Sequence, residues 1–271
     1  MDNDALITMR IVKTGGKDFD LKVTRYTNSQ NRIEERDFHS NDEVQKRLQN
    51  DFLKYTNIWY ETRRGEFRKR KNIAPQITNE ALGQTYLAYR INDPFHAKNS
   101  RKLFFVSTSL NSNGLYETIF NDETRYDEMY ISYYLHSFID TKRKEMKKQI
   151  DEIDASAELS KEDEALFQYS FVQYANFDIL ALFKTLFDQV YDNNKEASEK
   201  LVNMFENSNT DKIITHYEFI REYLFKYLNT NSKIDRNTTY SVLFKNKSFY
   251  QDMKSDFLMC FPKQSLKEFE L

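Results

Sequence analysis

Phe177-Asp178-Ile179-Leu180-Ala181-Leu182-Phe183-Lys184-Thr185-Leu186-Phe187-Asp188-Gln189-Val190 is the most apolar stretch of the chain. It holds no Gly or Pro, and with Phe167, Phe171 and Tyr174 its large residues recur at helical steps. The stretch therefore predicts a helix, running from a Ser160 cap through Lys161 to Tyr191. Its apolar stripe is wide, so the helix should be buried on more than one side. It is not a membrane span. Asp178 and Lys184 cut its apolar centre to five residues, against the roughly 18 that a span needs.

Outward from this helix the same period recurs. Val44, Leu48, Phe52 and Tyr55 share a face of a helix capped by Ser40 or Asn41. Leu82, Tyr86 and Tyr89 stripe a helix over 78–91. Asp93-Pro94 reads as an N-cap followed by Pro at the first helical position, opening a helix toward Phe105. Asn111-Ser112-Asn113-Gly114 reads as a turn. Tyr126, Tyr130, Tyr133, Tyr134 and Phe138 mark a long helix, and shorter ones are expected at about 195–206, 211–228 and 238–258. Residues 18–26 read as a short helix. Only Ala5 to Val12, ending at Gly15-Gly16, reads as a strand, and one strand cannot make a stable sheet.

The 271-residue chain has five Gly and three Pro, too few turn formers for a sandwich or barrel. Its 22 Phe and 18 Tyr argue against disorder. The fold class expected is mainly α, a multi-helix bundle with one N-terminal strand left from an upstream α/β region. The single cysteine, Cys260, excludes a disulfide framework and fits a reducing compartment. Met-Asp-Asn-Asp at the start offers no basic leader region, so a cytoplasmic location is the expectation.

Net charge is −2, but the first 150 residues carry an excess of Lys and Arg and the remainder an excess of Asp and Glu. The densest basic run is Arg63-Arg64-Gly65-Glu66-Phe67-Arg68-Lys69-Arg70-Lys71, with Trp59 and Tyr60 just upstream. Clustered cations attract phosphates and neighbouring aromatics can stack on bases. The same run would also serve as a solvated surface, as would Lys142 to Lys148. If residues 60–67 are helical, Glu61 and Arg64 face each other as an ion pair that positions Tyr60.

Catalytic patterns are weak. The histidines His39, His96, His136 and His216 form no recognised metal set, and no cofactor motif is present. Glu145-Met146-Lys147 has a nuclease-like spacing but falls in a polar helix rather than on a buried strand. Arg90 with His96, or Arg32 with His39, loosely match the Arg/His pair of helical ribonucleases. No Gly-x-Ser-x-Gly nucleophile elbow occurs, Cys260 has no evident base partner, and Gly15-Gly16-Lys17 lacks the rest of a phosphate loop.

One string changes the reading. Thr27-Asn28-Ser29-Gln30-Asn31-Arg32-Ile33 resembles a motif of the abortive-infection phage-resistance protein family (AIPR). The resemblance continues through Asp37, Ser40-Asn41-Asp42 and Gln45 to Leu48. It includes the box Tyr60-Glu61-Thr62-Arg63-Arg64-Gly65-Glu66-Phe67, with Thr62 where the family usually has Arg. Leu82 to Tyr89, Asp93-Pro94, Leu103-Phe104 and Tyr116 to Phe120 complete it, over about residues 5–121.

The resemblance implies a phage-defence protein. Members carry upstream strand-rich and restriction-endonuclease-like regions, so this chain resembles the C-terminal portion of the family. Residues 1–38 would end the family core, 39–121 would form a helical region with the basic box, and 122–271 a helical C-terminal region. The expected role is a nucleic-acid-associated module without its own catalytic site. Its contacts would be Asn28, Gln30, Asn31, Trp59, Tyr60, Glu61, Arg63, Arg64, Arg68, Lys69 and Arg70. The alternatives are an oligomerisation or phage-sensing module, meeting a second copy or a phage or host trigger protein, and a ribonuclease built on Arg90 and His96.

Overall fold

A computed structural model describes residues 34–67, 75–153, 159–191, 194–206 and 210–262, with Lys13, Gly16, Leu266 and Phe269. The strand expected over 5–12, the helix over 18–26 and the Asn/Gln string lie outside the described residues. Twelve α-helices and one pair of short strands make the described fold, which is mainly α.

The chain runs through α1 (Glu35–Phe38), a 3₁₀ turn (His39–Asn41) and α2 (Glu43–Thr56). Strands β1 (Trp59–Glu61) and β2 (Gln76–Thr78) follow. Then come α3 (Asn79–Tyr89), α4 (Pro94–Asn99), α5 (Tyr116–Ile119) and α6 (Tyr126–Asp151). The second half holds α7 (Lys161–Gln168), α8 (Asn176–Val190), α9 (Asn194–Glu206), α10 (Asp211–Thr230), α11 (Tyr240–Leu243) and α12 (Lys247–Cys260).

The apolar stretch is α8, the centre of the molecule. All eleven residues from Phe177 to Phe187 are buried. Helices α3, α4, α6, α10 and α12 pack around it, and one hydrophobic cluster joins Val44 to Phe269. Two charged groups are enclosed with it. Lys98 of α4 reaches the buried Asp178 and also donates to the carbonyl oxygens of Phe244 (2.7 Å) and Tyr174 (3.2 Å). Pairing is what makes such burial tolerable.

The continuous helix expected over 161–191 is instead two helices. A 3₁₀ segment at Ser170–Gln173 separates α7 from α8. Its tighter turn shifts the phase of the stripe. Phe171 and Val172 enter the core, while Phe167 and Tyr174 are left exposed. The helices expected from Asp93 to Phe105 and over 238–258 are likewise interrupted, by a 3₁₀ turn at Arg101–Leu103 and between α11 and α12. On α6 the fully buried face is Met129, Ile131, Leu135 and Ile139. Tyr130 is buried beside that face, while Tyr126, Tyr133, Tyr134 and Phe138 pack partly buried against the core.

Local signals explain most boundaries. The Thr78 hydroxyl accepts from Ala81 N at 3.1 Å and starts α3. Asp93 Oδ1 accepts from His96 N at 3.0 Å and starts α4, with Pro94 in its first turn. Ser160 and Asp163 form a capping box on α7. For α2 the cap is Asp42 rather than Ser40 or Asn41, which belong to the 3₁₀ turn.

The expectation that no segment beyond 5–12 forms a strand is overturned. Left-handed Asn57 (φ 54°) ends α2, and β1 then pairs in parallel with β2, Tyr60 opposite Ile77. Three-residue strands are too short to show an alternating period in sequence. None of the helices among the described residues is long and apolar enough to cross a membrane.

Candidate nucleic-acid interface

The basic box begins on β1, not on a helix. Alternation along a strand sends Tyr60 inward and leaves Trp59 and Glu61 half-buried. Tyr60 has no exposed surface, and its hydroxyl donates to Gln45 Oε1 at 2.7 Å. Burial raises its pKa well above the ordinary tyrosine value, so it stays a protonated donor. Tyr60 therefore cannot stack on a base in this fold, a correction to its place among the contacts.

The expected Glu61–Arg64 pair does not form either. Glu61 is 12% exposed and faces Arg36, whose Nη2 donates to the Glu61 carbonyl at 2.8 Å. The Arg64 guanidinium instead donates to Glu34 Oε1 at 2.7 Å, with both side chains largely solvated. A strand register separates residues three apart in a way that a helix does not.

After β1 the chain turns at residues 63–67. Glu66 organises the turn by accepting from the Thr62 N–H (3.0 Å) and the Thr62 hydroxyl (3.2 Å). Gly65 sits at φ 74°, where a side chain would be strained. Thr62 is buried in this arrangement, where a small hydroxyl residue fits.

The turn presents Arg63 and Arg64 on one side. Arg63 Nε donates to Ser40 Oγ at 2.8 Å, and Arg64 meets Glu34, so both reach the segment that carries α1. Phe67 folds back under Trp59, ring centroids 5.1 Å apart and edge to face. Two cations and an aromatic pair therefore flank one turn. Arg68, Lys69, Arg70, Asn28, Gln30 and Asn31 lie outside the described residues.

Behind the turn is a polar network that sequence reading missed as a site. Asn79 Nδ2 donates to Gln45 Oε1 (3.1 Å) and to the Thr62 carbonyl (3.2 Å). His39 hydrogen-bonds Asp42 Oδ2 through Nδ1 at 2.7 Å and stacks on Tyr116 at 3.6 Å. The Tyr116 hydroxyl donates to the same carboxylate oxygen at 2.8 Å. Burial, then Asp42, drives the Tyr116 pKa upward. Gln45 stood in the sequence pattern, but nothing local marked Arg36 or Asn79.

The ribonuclease pair is not assembled on one helix. Arg90 closes α3 and binds Glu128 Oε1 at 2.9 Å, whereas His96 lies in α4 and binds Asp93 Oδ2 at 2.6 Å. Glu145 sits on α6, where it pairs with Lys142 at 3.0 Å. Among the described residues no group of three His, Cys, Asp or Glu could hold a metal ion.

Fold and turn together define a mainly helical protein with a small cation-bearing strand-and-turn unit at its N-terminal side. A model of the family described as AIPR protein matches residues 1–254, well beyond the 5–121 that carried the resemblance. The chain belongs to the AIPR family, the abortive-infection phage-resistance proteins. No curated protein and no solved structure matches it.

Proposed function

We propose that this phage-defence protein acts as a nucleic-acid-associated helical module, gripping a strand at the turn after β1. The observation that supports this most is the convergence of Arg63 and Arg64 on the Glu34–Ser40 segment beside the Trp59–Phe67 pair. Cations there would meet phosphates, which position a strand without reading its sequence. Trp59 offers an aromatic surface for a base. Arg68, Lys69 and Arg70 continue the basic run, and Asn28, Gln30 and Asn31 stay in the proposed contact set through the family resemblance. In this reading the chain carries no catalytic site of its own and represents the C-terminal portion of the family plan.

The test is binding of single-stranded and duplex DNA and RNA across a salt series. Affinity should fall steeply as salt rises and drop further in the Arg63→Ala/Arg64→Ala double variant. Absent binding, or binding indifferent to salt and to both substitutions, would overturn the reading.

A second reading is self-association. Phe167 and Tyr174, which line one surface groove, are large apolar side chains left 40% and 43% exposed in the second half of the chain, and exposed apolar surface invites a partner. Light scattering across a concentration series tests it, and a strictly monomeric chain would end it.

A further inference from the structure

The two arginines of the turn are neighbours in sequence but are held in different ways. Arg63 is exposed, and its Nε donates to Ser40 Oγ at 2.8 Å. Ser40 is 5% exposed, and its own hydroxyl donates to the Asp37 carbonyl at 2.7 Å. With the hydroxyl hydrogen committed there, the Ser40 oxygen turns a lone pair to Arg63. This acceptor is neutral, and among the described residues no carboxylate pairs with the Arg63 guanidinium. Arg63 therefore keeps its full charge. A guanidinium is planar and rigid, so fixing Nε sets the direction of the edge formed by Nη1 and Nη2. That edge matches two phosphate oxygens.

Arg64 is held by a charge instead. Its Nη1 donates to Glu34 Oε1 at 2.7 Å, with the two side chains 65% and 50% exposed. A solvated pair of this kind is weak and exchangeable. Its carboxylate nevertheless stays beside the arginine and repels an approaching phosphate. The third cation of the region, Arg36, is 7% exposed and committed to Glu61, so it faces the interior rather than a ligand.

We propose that Arg63 is the phosphate contact of the turn, that Ser40 is its positioning residue, and that Glu34 is a built-in competitor that holds Arg64 back. This rests on the strand-gripping reading and deepens it, by naming which group meets a phosphodiester. A phosphate docks on the preset Nη1/Nη2 edge of Arg63 without breaking a bond inside the protein. Docking on Arg64 requires it to displace Glu34 or to share the arginine with it.

The experiment is fluorescence anisotropy of the full chain at low salt, with labelled oligothymidylate and oligouridylate as probes. Arg63→Ala should weaken binding roughly tenfold, the loss expected for a charge-assisted contact. Arg63→Lys, an exposed substitution that keeps the charge and removes the fork, should lose most of that factor. Arg64→Ala should weaken binding about threefold or less, because Glu34 already occupies the arginine. Glu34→Gln should tighten binding, and in that background Arg64→Ala should cost more than it does in the parent. Ser40→Ala should weaken the parent severalfold yet add nothing to Arg63→Ala, with thermal melting confirming that the variants are folded. A general structural role for Ser40 would weaken both backgrounds alike.

Equal losses in Arg63→Ala and Arg64→Ala, parent affinity in Arg63→Lys, unchanged affinity in Glu34→Gln, or a Ser40→Ala loss that persists undiminished beside Arg63→Ala would overturn this assignment and leave the strand-gripping reading standing. A parent chain that binds neither probe would overturn that reading and this assignment together.

Discussion

The ammonium of Lys98 is bonded to the carboxylate of Asp178, joining α4 to the central helix where Asp178 is only 2% exposed. Removing one member of such a pair strands the other charge without water. Lys98→Met is expected to lose about 3–5 kcal/mol of stability, and Lys98→Met/Asp178→Leu to regain much of it. Urea denaturation of the two variants checks this. A single variant as stable as the parent chain would show that the pair contributes nothing.

Asn92 ties three elements with one side chain. It is left-handed (φ 61°), donates through Nδ2 to the Ala181 carbonyl at 2.8 Å, and accepts from the Tyr250 hydroxyl at 2.7 Å. Asn92→Gly keeps the backbone relaxed but deletes both bonds, for an expected loss of about 2 kcal/mol. Asn92→Ala should lose roughly 1 kcal/mol more, the strain of a left-handed alanine. Equal thermal stabilities for the two variants would remove the backbone part of this account.

His136 gives the protein a sensitivity to acid. Its ring stacks on Phe177 at 4.7 Å, and burial lowers its pKa from 6.5 to about 4. Asp140 opposes that shift, while Arg143 and Lys144 add to it. The folded ring stays neutral where the unfolded one takes up a proton. This contribution is therefore complete above about pH 6.5 and is lost as pH falls toward 4, a total of about 3 kcal/mol. His136→Gln should flatten stability against pH in that window. An unchanged slope would refute it.

Tyr60→Phe separates core from contact. It should lower stability by about 1 kcal/mol, since Gln45 loses one donor. Strand affinity, measured by fluorescence anisotropy, should stay at the parent value, whereas Trp59→Ala should reduce it. A loss of affinity in a fully folded Tyr60→Phe variant would put the tyrosine back at the surface.

What sequence revealed was what repeats or caps locally. The stripe of α8, the caps Asp93 and Ser160, and the helices near 79–89 and 211–230 follow from spacing and short-range hydrogen bonds. The 3₁₀ break at Ser170–Gln173 left no Gly or Pro to mark it. It arises because Phe171 and Val172 find room in the core. The site was legible only as composition, a basic and aromatic run. Most of the bonds that assemble it join residues 15 to 74 positions apart, such as Tyr60 with Gln45, Arg36 with Glu61 and Tyr116 with Asp42. No local pattern encodes such distances, which depend on how α1, β1 and α3 meet.

The enclosure of α8 has a consequence for how the polypeptide matures. Two of its walls, α10 and α12, are translated after it. As synthesis proceeds from the N-terminus, its leucines and phenylalanines leave the ribosome before those walls exist. The nascent chain therefore leaves part of its most apolar segment uncovered until α12 has been made.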